Sequence, residues 1–167
     1  VRLDYAVTPS TTVGYYNLFS DEAGNRLRTF NGIGVKGTHD ALTWLAEADV
    51  GTQARSAADG STASWYGATA MARVQVAPIV GLSARVERYD DGSQVIIATG
   101  GPSAAAPNGP FRGNGASLGI DVSPRPRVFW RSEIRGFSNE TAIFPDGPTG
   151  APRKVGGFVV SSLSLTF

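Results

Sequence analysis

Cysteine is absent from the 167 residues, which excludes a disulfide framework, a thiolate nucleophile and a thiolate metal site. Histidine occurs once, at His39, so no histidine cluster exists to hold a metal. There is no run of the ~18 apolar residues that a membrane-crossing helix requires. Neither sign of charge dominates, the net being +1, and nothing points to a nucleic-acid partner. No initiator methionine or signal peptide precedes Val1, so a processed form or a fragment is expected. The mean hydropathy of −0.08 resembles that of a soluble protein. That average has little force for strands that alternate polar and apolar residues, because the two sets cancel in any window. The length suits one domain, 1–167, with either a sizeable core or the wall of a small membrane barrel.

What the chain does have is glycine and proline, 21 and 10 residues, with the prolines gathered between apolar stretches rather than inside them. That placement favours an all-β fold. Period-2 alternation predicts strands starting near Val1, Thr12, Leu27, Ala41, Ser64, Gly81, Asn114, Arg127 and Val155. The clearest are Ala41 to Gly51, with Leu42, Trp44, Ala46, Ala48 and Val50 against Thr43, Glu47 and Asp49, and the strand that follows. There Tyr66, Ala68, Ala70, Ala72, Val74 and Val76 oppose Trp65, Thr69, Met71, Arg73 and Gln75. Thr12 to Ser20 has less distinct faces, and its register is open from sequence alone.

Connections alternate in length, short near Pro9, Thr38, Pro78 and Pro124, longer at Asp21, Thr52, Asp91 and Ser138. Tight turns on one side and longer loops on the other are the asymmetry of outer-membrane barrels. Aromatic residues sort by depth as interfacial girdles do: Trp44, Trp130 and terminal Phe167 at the short-turn end, Tyr66 at the long-loop end. The closing strand, Val155 to Phe167, carries Val155, Val159, Leu163, Leu165 and Phe167 on one side and ends on the aromatic. It resembles the last strand of bacterial outer-membrane barrels, and that resemblance implies recognition of Phe167 by the barrel-insertion machinery.

Three further segments, Ala63-Ser64-Trp65-Tyr66-Gly67-Ala68, Arg85-Val86-Glu87-Arg88-Tyr89-Asp90-Asp91-Gly92 and Tyr5-Ala6-Val7-Thr8-Pro9, look like the strand and loop-edge sequences of the OmpL-like β-barrel porin family. The similarity runs over most of the chain and is densest from Val1 to Gly92. It implies a Gram-negative outer-membrane location and a passive pore, and the chain looks like the carboxy-terminal part of longer members. The expected fold is therefore all-β: an antiparallel up-and-down transmembrane β-barrel, with about nine strands here as part of a larger barrel. Alternation backwards from a periplasmic Phe167 makes the Val1 strand run inward from the outer surface, so an odd number of strands is expected before it.

On such a barrel the face opposite the apolar stripes projects into the lumen. Its expected pore-lining residues are Glu47, Asp49, Arg73, Arg85, Glu87, Asp121, Arg131, Glu133 and Arg135, with signs that nearly balance. The functional reading is a polar channel for passive diffusion of small hydrophilic solutes. The alternative is that the same charges form ladder salt bridges inside a plugged structural barrel that anchors a partner protein. A soluble sandwich is disfavoured because the apolar set is rich in Ala and Val, with Trp and Tyr only at its ends. Partners expected on this reading are outer-membrane lipids, the solute, the insertion machinery and either further copies or a partner protein.

Other motifs have plainer readings. Gly32-Ile33-Gly34-Val35-Lys36-Gly37 matches a dinucleotide-binding pattern, but it lies inside a strand with no helix predicted after it. His39 sits in an expected turn without a nucleophile beside it. Asp90-Asp91-Gly92 reads as the turn that opens a loop before it reads as a calcium ligand set, and Val95-Ile96-Ile97 as a patch folding back over a barrel mouth. Asn139-Glu140-Thr141 is a formal glycosylation sequon. No catalytic residue, metal or cofactor is expected.

Overall fold

The structure, a computed structural model, describes residues 1–99, 109–146 and 151–167. Among them all regular structure is β: β1 (Arg2–Thr8), β2 (Thr11–Glu22), β3 (Arg26–His39), β4 (Leu42–Gln53), β5 (Ala63–Ala77), β6 (Val80–Asp91), β7 (Phe111–Arg125), β8 (Val128–Asn139), β9 (Phe144–Asp146), β10 (Ala151–Arg153) and β11 (Val155–Leu165). One nine-stranded antiparallel sheet runs in the order β1-β2-β3-β4-β5-β6-β7-β8-β11, and β9 and β10 form a separate hairpin. Each strand of the large sheet pairs with its neighbours in sequence. The sheet is not closed, since β1 and β11 are each bonded on one side only.

Two-residue turns, Pro9-Ser10, Asp40-Ala41, Pro78-Ile79 and Pro126-Arg127, join strands at one end. Proline presets the φ of a first turn position, and Asp40 adopts the left-handed conformation at φ 50° that aspartate tolerates. At the other end the connections are residues 23–25, 54–62, 92–110 and 140–154. The first is tighter than its polar sequence suggests, because pairing continues to Glu22↔Arg26 and Glu22 meets Arg28 at 3.5 Å. Gly24 and Asn25, at φ 82° and 54°, then make the positive-φ pair of a hairpin turn. His39 ends β3 rather than lying in a turn.

Pairing fixes which residues share a face. Val13↔Val35, Val35↔Ala46, Ala46↔Ala70, Ala70↔Val86, Val86↔Ala116, Ala116↔Gly136 and Gly136↔Gly157 carry one apolar row across β2 to β11. The register of β2 follows from the same pairs: Val13, Tyr15 and Phe19 join the apolar face, while Tyr16 and Leu18 join the polar one. Tyr16 pairs with Gly32, where any Cβ would collide with the tyrosine ring, so the glycine accommodates that register.

The faces differ in crowding as well as chemistry. On the apolar side large residues stand exposed, with Leu118 at 64% and Ile134 at 59%. On the polar side Trp65 is 3% and Asp121 2% exposed. A sheet that covers its polar face and bares its apolar one is inverted relative to a water-soluble sheet.

Candidate functional site: the polar face of the sheet

Every charged residue expected from the sequence to line a lumen falls on this face. Glu47 and Asp49 lie on β4, Arg73 on β5, Arg85 and Glu87 on β6, Asp121 on β7, and Arg131, Glu133 and Arg135 on β8. They sit at alternate positions, so the pleat aims them the same way.

From β5 to β8 these charges neutralise one another in two groups. Asp121 accepts from Arg73 Nε at 2.9 Å and from Arg131 Nε and Nη2 at 2.6 and 2.9 Å. Glu87 is bound by Arg135 and lies 3.9 Å from Arg85, which also meets Glu133 at 3.3 Å. Arginine suits this work, because its fork donates to carboxylates on two strands at once.

Glu47 and Asp49 are different. No ion pair among the described residues reaches either of them. Their cross-strand neighbours are Gly34 and Thr69 for Glu47, and Gly32 and Gly67 for Asp49. Small residues stand directly across from both carboxylates, with the Tyr16 ring laid over Gly32 beside Asp49.

Large side chains on this face lie sideways over a glycine of the adjacent strand, Tyr16 over Gly32, Trp65 over Gly51, Arg73 over Gly81 and Glu87 over Gly115, and Phe144 of the separate hairpin lies over Gly156. The wall is thereby paved rather than filled. Above it, at the long-loop end, Trp65 is buried with Arg28 over its ring at 5.9 Å. Arg28 Nε donates to Gln53 at 2.7 Å, and Gln53 Nε2 donates to Ser56 at 2.7 Å.

A second aromatic group joins Tyr89 to Phe111 at 5.9 Å and Phe137 to both Phe144 and Phe158 at 6.2 and 5.9 Å. Tyr89, Phe111, Phe137 and Phe144 border a cavity of about 460 Å³ that descends to Glu47 and Asp49. Ile97 lines it too, so the apolar patch at 95–97 reaches the polar face. The segment is anchored by Asp91, whose buried carboxylate accepts from the N–H groups of Val95, Ile96 and Ile97 at 3.0, 2.7 and 2.9 Å. Asp91 thus organises the loop, and among the described residues no set of acidic or histidine side chains is grouped to hold a metal. Asn139 is buried and donates to Thr141 at 3.0 and 2.9 Å.

The aromatic residues expected at interfaces stand on the apolar face, Trp44 packed on Gly37 and Trp130 bonded to Ser161 at 2.7 Å, both near the short turns. Tyr66 stands near the long loops, 45% exposed. Beside it Arg88, Asp90, Arg112 and Glu140 form a ring of ion pairs at 3.4 to 3.8 Å across the long-loop ends of β6 to β8. Between that level and the short turns the apolar face carries no charged side chain on β4 to β8. Sequence reasoning missed Trp65, Tyr16 and the phenylalanine group, whose roles depend on cross-strand glycines that only the register identifies.

Long antiparallel strands in simple order, an uncharged apolar face edged by aromatic residues, and a charged opposite face define a sheet of the β-barrel porin type. The family model described as "Putative beta-barrel porin-2, OmpL-like" matches residues 1–165, and the chain belongs to that family. No curated protein matches it by sequence.

Proposed function

We propose that the sheet is part of a closed β-barrel of the bacterial outer membrane that lets small hydrophilic solutes diffuse passively along its polar face. The uncharged band carries this reading. From Tyr66 to Val76 the apolar side of β5 spans ten residues, about 33 Å along the strand, which at a tilt of ~40° matches the ~25 Å apolar height of outer-membrane barrels. The family membership supports both the location and the porin-type role. In this setting Glu47, Asp49, Arg73, Arg85, Glu87, Asp121, Arg131, Glu133 and Arg135 line the pathway, Trp44, Tyr66, Trp130 and Phe167 meet the interfaces, and Phe167 addresses the insertion machinery.

Closure needs strands beyond these nine. β1 and β11 both run from the long-loop end to the short-turn end, so they are parallel to one another and cannot pair in an all-antiparallel wall. An odd number of additional strands restores alternation and removes both edges, each of whose unpaired backbone groups would cost several kcal/mol in lipid. The ion-paired groups on β5 to β8 also fit a second reading, a plugged barrel that serves as an anchor.

The intact protein should migrate differently on a gel with and without boiling and should conduct in a planar bilayer. A monodisperse monomer without detergent would refute the membrane assignment. Heat-dependent migration without conductance would favour the plugged barrel.

A further inference from the structure

We propose that the cavity between Ile97 and the Glu47-Asp49 pair selects solutes bearing an ammonium group on an apolar body; this deepens the channel reading and rests on it. Charge complementarity decides the occupant. Of the arginines on the cavity margin, Arg85 is paired with Glu133 and Arg88 with Asp90 and Glu140, so an anion entering there meets guanidinium groups that already hold carboxylates. A cation meets two carboxylates that make no ion pair in the described chain, Arg2 and Lys36 sharing only a separate recess with Glu47.

The walls suit the rest of such a solute. Tyr89, Phe111, Phe137 and Phe144 offer ring faces and edges around one space, and a cation near an aromatic face is attracted by its quadrupole. Gly67 and Gly113 lower the floor. An ideal Cβ at Gly67 would lie 3.1 and 3.2 Å from the Asp49 oxygens and 3.3 Å from the Tyr89 ring, so charge and ring converge on the same patch of backbone. The volume of about 460 Å³ lies within the ~300–1,000 Å³ typical of small-molecule sites.

The test is calorimetric titration of the intact protein in detergent with phenethylammonium, ethylammonium and phenylacetate, together with reversal potentials in planar bilayers. Phenethylammonium should bind more tightly than ethylammonium, and phenylacetate should not bind. Glu47→Gln with Asp49→Asn should weaken phenethylammonium about tenfold, Glu47→Asp should retain it, and Phe111→Leu should weaken it while leaving the charges in place. Each variant is first shown to keep its heat-dependent gel mobility. Equal binding of phenethylammonium and phenylacetate, or binding indifferent to the double substitution in a folded variant, would overturn the proposal. Conductance without that discrimination removes the site and leaves the channel. Binding that depends on both carboxylates in a protein that does not conduct removes the channel and leaves the site.

Discussion

An arginine scan along β5 separates a lipid wall from a soluble one. Ala68, Ala70, Ala72, Val74 and Val76 occupy successive positions of the apolar face below Tyr66. Two residues advance the strand by about 6.6 Å, or roughly 5 Å in depth at a tilt of ~40°. Ala70 and Ala72 therefore lie about 10 and 15 Å below the tyrosine, on either side of mid-band. An arginine stem that snorkels must cover that depth to bring its head to the interface. The expected cost is about 2–4 kcal/mol at mid-band, falling to about 0–1 kcal/mol near the interfaces, so the scan should trace a hump with its maximum at Ala70 or Ala72. Thr69→Arg, one residue away but on the polar face, should cost much less. Urea titration of the intact protein in lipid vesicles, read by tryptophan fluorescence and gel mobility, provides the profile. A flat profile, or equal losses at Thr69 and Ala70, would show that the faces are wrongly assigned.

Three further outcomes are expected. Asp121→Asn should lose about 1–3 kcal/mol of unfolding free energy, below the usual figure for a broken buried pair because Arg73 and Arg131 remain 37% and 47% exposed; an equal loss when both arginines are already glutamine would refute the coupling. Gly51→Ala should cost about 1–3 kcal/mol by overpacking and shift Trp65 emission, whereas Gly136→Ala, with nothing within 4 Å of its added methyl, should be nearly neutral; similar losses would refute the paving argument. Deleting Phe167, which is fully exposed, should reduce assembly in cells more than it lowers the urea midpoint of folded protein, and normal assembly would end its proposed recognition role.

Much of this architecture is legible in the sequence because alternation of period two is a local property. It places the nine strands of the large sheet, puts each lumen candidate on one face, and separates short turns from long connections except at Asp21, where only residues 23–25 intervene. What only the structure shows is cross-strand. Thr12 to Ser20 has aromatic residues on both faces, and only its pairing with β3 shows that Tyr16 lies over Gly32 while Tyr15 joins the apolar side. The expected balance of charge along the wall holds as a count, yet Asp121 sits between two arginines while Glu47 and Asp49 meet none, a difference set by which strands adjoin. Trp65 shares the polar side with charged residues, and nothing in its own segment reveals that Gly51 on the neighbouring strand makes room for it.

The side chains laid over glycines have a consequence for how the bore of the proposed channel could be altered. Where a tyrosine or tryptophan rests flat on a bare backbone, the width of that proposed passage would depend on a hydrogen atom at a residue that no solute touches. A single methyl added at Gly32 or Gly51 would act as a wedge, tipping Tyr16 or Trp65 off the wall and toward the axis. Such a gate would be made without changing any group that the passing molecule meets, so size exclusion and charge preference could drift independently in this wall.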